Sequence, residues 1–185
     1  MNTHHIHMLQ SGAVGVMPTD TILGVVGSAL RPEVVERIYR LKKRDRDKPL
    51  ITLIGSYSDL SRFHLDISPK LARFLTQIWP GPVTVIFPLK GKSYQYLSKD
   101  GGISLRLPKE KWLRDVLNQT GPLIATSANL EGEKEAESIE EAFTYFRGGI
   151  DFYEEDEMCG DVLASTIIKV TGDEVEVVRQ GSMKV

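Results

Sequence analysis

The stretch Leu123-Ile124-Ala125-Thr126-Ser127-Ala128-Asn129 sets an apolar run directly before two hydroxyls and an amide. The apolar residues predict a short buried strand, and the polar side chains follow where that strand ends. Polar groups at strand ends often face a crevice in α/β sheets. The same residue types also build ordinary turns and helix caps, and from these residues alone the turn is the favoured interpretation.

Patterns typical of helices and strands run along the whole chain. Helical spacing of apolar residues occurs at 32–43, 68–78, 110–119 and 138–146, with shorter helical stretches at 6–10 and 56–63. Strand-like runs occupy 14–17, 50–54, 84–89, 103–107, 123–125, 164–170 and 174–178, the last two forming a hairpin. Because strands outnumber helices and do not alternate with them regularly, the sequence predicts a mixed α/β (α+β) fold. We expect residues 1–185 to form a single domain, a twisted mixed β-sheet with helices packed on it and a concave basic crevice.

The composition disfavours several classes of protein. Hydrophobic residues make up 41% of the 185 residues and no low-complexity tract appears, so the chain should fold around a core. The formal charge of −2 argues against a protein that coats nucleic acid, which would be strongly basic. The charge is uneven, because seven Lys and Arg residues fall between Arg37 and Lys48. Such a local patch fits a small anionic ligand better than a long polyanion.

The Cys and His residues predict neither disulfides nor a metal site. The single cysteine, Cys159, cannot form a disulfide within the chain and has no positive neighbour to activate its thiol. His4, His5 and His7 cluster without Cys or acidic partners, so no metal site is expected there. No apolar run is long enough to span a membrane, and the first residues lack a cleavable signal pattern. These features predict a cytoplasmic protein with no membrane partner.

The basic patch contains Lys42 and Arg44, two positions apart at the predicted end of a helix. If the chain extends there, both side chains point to one side and could grip adjacent phosphate oxygens, Arg44 as a fork and Lys42 as a point charge. Lys48, before the next strand, could join them. The alternative is a solvated helix end whose cations complement the helix dipole, and charge alone does not decide between the two.

Two further polar segments lie beside predicted strands. Ser104 and Arg106 alternate along one strand and therefore share a face. An Arg that faces inward needs an anionic partner, because an unpaired buried charge is very costly. Pro18-Thr19-Asp20-Thr21 is either a ligand-facing loop or a proline turn with an Asp cap.

Taken in order, these segments resemble the YrdC family of threonylcarbamoyl-AMP synthases in its single-domain form. Any one match is weak, but an ordered set over nearly the whole chain favours ligand binding over a turn or a helix end around Lys42 and Ser127. The matching segments are Pro18-Thr19-Asp20-Thr21 with Gly24, Leu41-Lys42-Lys43-Arg44 with Lys48-Pro49-Leu50, Trp79-Pro80-Gly81-Pro82-Val83-Thr84, Ser104-Leu105-Arg106-Leu107-Pro108, Thr126-Ser127-Ala128-Asn129, Ser165-Thr166-Ile167 and Arg179-Gln180-Gly181.

The resemblance implies a reaction. Members of the family join L-threonine, bicarbonate or CO2, and ATP into threonylcarbamoyl-AMP and pyrophosphate. A separate transferase complex then moves the threonylcarbamoyl group to an adenosine beside the tRNA anticodon, and tRNA itself is a candidate partner. By the same resemblance Mg²⁺ is expected with ATP, held by phosphate oxygens and water rather than by dedicated protein ligands. No residue stands out as a general base.

The matched motifs also imply roles for individual residues. Lys42, Arg44 and Arg106 would hold phosphate and carboxylate charge, with Lys48 in support. Ser127 and Asn129 would hold phosphate or carbamate oxygens. The remaining substrate contacts implied by the motifs are Thr19, Ser104, Thr126, Ser165 and Arg179, with Thr19 and Ser165 on threonine and nucleotide and Arg179 closing on the nucleotide.

One position departs from the family pattern. The first motif usually carries an aromatic residue just before its glycine, and here that residue is Leu23. A paralogue of the same fold with a different substrate is therefore one alternative, and a non-catalytic RNA-binding module is another. The related domain of hydrogenase maturation proteins fits less well, because those chains are much longer and carry Cys-rich segments. The longer family form adds a C-terminal domain, which we do not expect after Val185.

Overall fold

A computed structural model describes residues 1–155 and 164–185. Within these residues one sheet contains nine strands: β1 (Val14–Pro18), β2 (Leu23–Ser28), β3 (Ile51–Leu53), β4 (Val83–Pro88), β5 (Gly102–Arg106), β6 (Leu123–Ser127), β7 (Phe152–Tyr153), β8 (Thr166–Thr171) and β9 (Glu174–Arg179). Their spatial order is β7-β1-β2-β6-β3-β5-β4-β8-β9. The β1/β7, β3/β5 and β4/β8 pairs are parallel and the others antiparallel, so the sheet is mixed.

Helices cover both faces of this sheet, but unequally. The described α-helices are α1 (Thr3–Ser11), α2 (Pro32–Lys42), α3 (Pro69–Ile78), α4 (Lys111–Thr120) and α5 (Ile139–Phe146), with 3₁₀ turns at Tyr57–Phe63, Gln95–Leu97 and Arg147–Gly149. Helices α2, α3 and α5 bury apolar side chains in the larger core on one face, whereas α1 and α4 form a smaller core on the other. No helix in the described part of the chain is long and apolar enough to cross a membrane.

Helix α2 shows how local sequence positions the later site. Its apolar stripe is buried, and Gly27 on β2 lets the helix approach closely, since a Cβ there would lie 2.6 Å from Val34 Cγ1. The helix ends at Lys42 and is capped by Lys43, whose φ of 51° is left-handed and whose N–H donates to the Arg40 carbonyl. The chain therefore turns out of the helix between Lys42 and Arg44.

Strands β1 and β2 form a hairpin that pairs from Val14 with Gly27 to Pro18 with Leu23. The loop between them is closed by Thr19, whose N–H and hydroxyl both donate to the Ile22 carbonyl, at 3.1 and 2.7 Å. This loop carries Asp20 at the tip of the hairpin.

The structure confirms the predicted fold class, a single mixed sheet with helices packed on it. It adds two strands that the sequence did not predict, β2 and β7. It also extends β6 through Ser127, so Thr126 and Ser127 belong to the strand rather than follow it. Cys159 lies outside the described residues.

Candidate active site

Strand pairing places polar residues from distant parts of the chain on one face of the sheet. Ala125 on β6 pairs with Ile51 on β3, which pairs in turn with Ser104 on β5. Side chains two positions apart on a strand share a face, so Ser127 and Arg106 project from the same side as Ser104. Helices α1 and α4 pack on the same face, because Ala125 belongs to the smaller core that they form.

Lys42, the last residue of α2, is only 1% exposed. Its ammonium donates to the backbone oxygen of Asn129 at 2.8 Å, to Asn129 Oδ1 at 2.9 Å and to the backbone oxygen of Ser127. All three of its N–H donors therefore have acceptors. Burial lowers the pKa of Lys42 to about 8, helped by the charge of nearby Arg44 and opposed by two glutamates.

Asn129 connects Lys42 to Ser127. Its Oδ1 also accepts from Ser127 Oγ at 2.6 Å, and its Nδ2 donates to the Glu133 carbonyl at 2.7 Å. Lys42, Ser127 and Asn129 form what we term the Lys42–Asn129 network. Because the Ser127 hydroxyl donates its hydrogen to Asn129 Oδ1, Ser127 Oγ can only accept a hydrogen bond from a ligand. In this arrangement Ser127 suits an amine or hydroxyl donor, whereas the resemblance implied contact with phosphate or carbamate oxygens.

Arg44 lies beside this network and is half-buried. Its Nε donates to the Lys48 carbonyl at 3.0 Å and its Nη2 to the Pro49 carbonyl at 3.3 Å. Both acceptors are neutral, and within residues 1–155 and 164–185 no carboxylate lies at ion-pair distance from Arg44. Arg44 therefore keeps uncompensated positive charge next to the network.

Glu131 ties the basic loop to the segment after β6. One of its carboxylate oxygens pairs with exposed Lys48, and the other accepts from the N–H of Asp45 at 2.7 Å. The Glu131 N–H donates to the Lys42 carbonyl at 2.9 Å. The hydrogen bond from Lys48 lowers the pKa of Glu131. As a result the Lys42–Lys48 segment and the Ser127–Asn129 segment meet, as the hypothesis of a shared site requires.

Arg106 forms a buried ion pair with Asp20. The distance from Nη2 to Oδ1 is 2.7 Å, and the two side chains are 5% and 3% exposed. The anionic partner expected for an inward-facing Arg is therefore supplied by the chain itself. Strands β1 and β5 are separated by β2, β6 and β3, a span of about 19 Å in a flat sheet. The Asp20–Arg106 contact therefore places the tip of the β1–β2 hairpin loop against β5.

A second group of predicted residues lies where β8 begins. Ser165 is buried, and its Oγ lies 3.1 Å from Thr84 Oγ1. The Nη2 of Arg179 donates to the Ser165 carbonyl at 2.8 Å. Val85 pairs with the residue before Arg106, so Thr84 projects from the same side as Arg106. These hydroxyls therefore extend the polar face beyond Arg106.

Two predicted substrate contacts are not brought to this face by their side chains. Thr19 is buried and its hydroxyl proton is used within the hairpin loop. Thr126 pairs with Val25, which belongs to the larger core, and projects opposite to Ser127. Their implied contacts with substrate therefore gain no support from the geometry.

The sequence-based predictions did not place the side chains of Asp20, Thr84 or Glu131 in the site. Asp20 could have been found, because it lies in a matched motif and the inward-facing Arg106 required an acid. Glu131 gave no local signal, since its partner Lys48 is 83 positions away.

The described residues contain no group of three or more His, Cys, Asp or Glu side chains that could hold a metal ion.

Comparison with known proteins identifies the family. A family model described as Telomere recombination, built for Sua5, YciO and YrdC proteins, matches residues 7–181. The chain belongs to the Sua5/YciO/YrdC family. The resemblance inferred from the motifs is thereby confirmed.

Relatives within the Sua5/YciO/YrdC family carry consistent names. A Methanocaldococcus jannaschii protein, provisionally named a threonylcarbamoyl-AMP synthase, is 26% identical over 171 residues, covering 92% of this chain and 81% of that protein. The threonylcarbamoyl-AMP synthase of Bos taurus is 33% identical over 140 residues, which cover 72% of this chain and 48% of that protein. The crystal structure of P. abyssi Sua5 complexed with L-threonine matches with a TM-score of 0.84 and 25% identity. The match covers 96% of this chain and 53% of that protein. The chain spans about half the length of the last two proteins.

Proposed function

We propose that this protein makes threonylcarbamoyl-AMP and pyrophosphate from L-threonine, bicarbonate or CO2, and ATP, for the threonylcarbamoyladenosine modification of tRNA. The observation that carries the proposal is the Lys42–Asn129 network with Arg44 beside it, built where the end of α2 meets the end of β6. The names of the relatives and the threonine bound to P. abyssi Sua5 support the same reaction.

The reaction needs positive charge and well-placed hydrogen bonds more than a protein nucleophile. The amine of threonine adds to CO2 and loses a proton, which gives a carbamate. A carbamate oxygen then attacks the α-phosphorus of ATP, the bond to the bridging oxygen breaks, and pyrophosphate leaves. Negative charge shifts onto the leaving group, so catalysis rests mainly on positioning and electrostatics.

Arg44 is the residue that we assign to the phosphate charge. Its fork of N–H groups matches phosphate geometry, and its present partners are neutral carbonyls. Lys42 adds positive charge through space while its donors hold Ser127 and Asn129 in place. Ser127, with its lone pairs available, would receive a hydrogen bond from threonine.

Other components follow from the chemistry of the substrates. Mg²⁺ would enter with ATP, held by phosphate oxygens and water. The product is a mixed anhydride and a reactive acyl donor, so a separate transferase would consume it with tRNA as the final acceptor. We place these steps in the cytoplasm.

An assay of pyrophosphate release tests the proposal. Protein, ATP, Mg²⁺ and bicarbonate are mixed with threonine, with serine or with no amino acid, and the nucleotide product is identified by mass. We expect release to require threonine and the product to be threonylcarbamoyl-AMP. Release that ignores the amino acid would overturn the proposal. Absent turnover together with RNA binding that weakens steeply with salt would favour the RNA-binding module instead.

A further inference from the structure

The guanidinium of Arg106 is only partly satisfied. Its Nη2 donates to Asp20 Oδ1 at 2.7 Å, whereas its Nε is buried and has no acceptor among the described residues. Buried N–H groups are almost always paired, because leaving one without an acceptor is unfavourable. The Nε of Arg106 therefore lacks the acceptor that a buried N–H group normally has, and no residue in the described part of the chain supplies one.

The ion pair is unusual in its burial. Within the described residues it is the one ion pair whose two side chains are both less than a tenth exposed, at 5% and 3%. The Arg37–Asp151 pair, by contrast, is 34% and 33% exposed. Burial raises the pKa of Asp20, and the charge of Arg106 opposes that rise. Desolvating two charges often costs more than their attraction returns, so stability alone is a weak reason for such a pair.

The pair is also electrically neutral, which limits what Arg106 can contribute. Asp20 cancels most of its long-range attraction for anions. Arg106 can still contribute through the orientation of its hydrogen-bond donors. The Asp20 carboxylate holds one edge of the planar guanidinium, so the remaining N–H groups point in fixed directions. A fork held in this way selects an oxyanion by geometry rather than by net charge.

The surroundings of Arg106 suit a small polar ligand. Ser104 projects from the same strand face and is buried. Thr84 projects beside it from β4, with its Oγ1 3.1 Å from Ser165 Oγ. Hydroxyls can donate or accept, so they complement a ligand whose oxyanion is held by the guanidinium.

We propose that Asp20 is a positioning residue that orients Arg106 so that its free Nε–H donates to an oxyanion of the substrates. The inference rests on the proposed function, which supplies two sources of that oxyanion, the carboxylate of threonine and a phosphate of ATP. Asp20 itself contacts Arg106, not the substrate.

The test compares three substitutions with a matched control. Asp20→Asn keeps the shape but removes the charge, Asp20→Ala removes the partner, and Asp20→Glu restores the carboxylate. Asp151→Asn breaks the more exposed ion pair with Arg37, which joins α2 to the residue before β7. For each protein the KM of threonine is measured at saturating ATP, and the KM of ATP at saturating threonine. Calorimetric titration gives the Kd of each substrate, and thermal unfolding reports the folded fraction.

We expect Asp20→Asn and Asp20→Ala to raise the KM and Kd of one substrate at least tenfold, while those of the other change less than twofold. The affected substrate identifies the oxyanion. Asp20→Glu should recover part of the affinity, and Asp151→Asn should leave both KM values unchanged. A folded Asp20→Asn protein with wild-type KM and Kd for both substrates would overturn the proposal. So would a fall in kcat alone, because that is what a purely structural pair produces.

Failure of the proposed function gives a different result. If the wild-type protein releases no pyrophosphate, that reaction is wrong, but calorimetry with ATP and with threonine still tests Asp20. Weaker binding of either substrate to Asp20→Asn would then support the positioning role. Unchanged binding, or no binding of either substrate to the wild type, would overturn it.

Discussion

Lys42 and Asn129 are joined twice, because the ammonium donates both to the backbone oxygen of Asn129 at 2.8 Å and to its Oδ1 at 2.9 Å. The two residues are 87 positions apart in the chain. The contact therefore locks the end of α2 onto the turn that follows β6. Since the same residues border Arg44 and Ser127, the stability of the fold and the geometry of the site should depend on one buried ammonium.

Replacing Lys42 by Met should lower the free energy of unfolding by about 3 kcal/mol, because buried acceptors that lose their donor cost about 1–3 kcal/mol each. Urea unfolding measures this change. Arg40→Met is the matched control, since Arg40 is exposed on the same helix, and its effect should stay within about 0.5 kcal/mol. Equal stability of the two variants would contradict the structural role of the ammonium.

The depressed pKa of Lys42 predicts a defined pH dependence of stability. The pKa is about 8 in the folded protein, against 10.5 for an ordinary lysine. Between these values the unfolded chain binds more protons, so the free energy of unfolding should rise with pH in that window. The cost of burying the Lys42 ammonium lowers the free energy of unfolding by its full amount below pH 8. This cost decreases between pH 8 and 10.5 and is absent above pH 10.5.

Two measurements check this dependence. The NMR shift of the Lys42 side chain, assigned with Lys42→Met, should titrate near pH 8. The stability difference between the wild type and Lys42→Met should also move in favour of the wild type from pH 8 to 10. A side-chain titration near pH 10.5 would show that the hydrogen bonds to Ser127 and Asn129 fully offset burial.

Arg44→Ala should reduce pyrophosphate release by about 10²–10³, the usual effect of removing one preorganised contact to developing charge. Unfolding by urea should change little, because the partners of Arg44 are carbonyls of a surface loop. Arg44→Lys keeps the positive charge but loses the forked guanidinium, so its rate of pyrophosphate release should lie between those of the wild type and Arg44→Ala. Arg46→Ala, two residues on and exposed, is the control and should retain activity. Near-normal turnover of Arg44→Ala would refute the electrostatic assignment.

Lys48→Ala should have a much smaller effect than Arg44→Ala. Lys48 is 60% exposed in its pair with Glu131, and such pairs contribute about 0.2–1 kcal/mol. The loss of kcat/KM should stay below tenfold and shrink at high ionic strength, where exposed charges are screened. Glu131→Ala should reduce kcat/KM more than Lys48→Ala does, because Glu131 also accepts a hydrogen bond from the N–H of Asp45. A salt-independent loss in Lys48→Ala would instead indicate a desolvated contact with substrate.

Much of the fold could be predicted because its helices carry strong local signals. The apolar stripes of α2, α3 and α4 lie on buried faces, and the short helical stretch predicted at 56–63 is present as a 3₁₀ turn at Tyr57–Phe63. Helix α3 ends at Ile78, where the helix predicted at 68–78 also ends. In each case residues close in sequence determine the structure.

The features that could not be predicted depend on contacts between distant residues. Strand β2 was missed because all six of its residues are buried and two are glycine, so the alternation of a half-buried strand is absent. Strand β7 has only two residues and forms by pairing with β1. The direction of the Thr126 side chain follows from strand register. The three hydrogen bonds of the Lys42 ammonium follow from the packing of α2 against the end of β6. Local sequence patterns encode neither.

The C-terminal motif also has a structural explanation. Gly181 lies against the chain that leads into β8, where a Cβ would overlap the backbone of Ala164 and Ser165. Its N–H donates to Thr166 Oγ1 at 3.0 Å, and the next N–H donates to the Ala164 carbonyl at 3.1 Å. The glycine therefore lets this turn pack against the segment that carries Ser165.

Gly181→Ala should displace this turn, because the overlap is with backbone atoms that cannot rotate away. We expect a loss of about 1–3 kcal/mol in the free energy of unfolding, as for other overpacked sites. A fall in kcat/KM should accompany it if Ser165 contacts substrate. Gly148→Ala is the matched control, since nothing lies within 4 Å of a Cβ there. If urea unfolding of the two variants is the same, the glycine in this motif has no packing role. A loss of stability without a loss of kcat/KM would separate the packing of the turn from a role of Ser165 in the site.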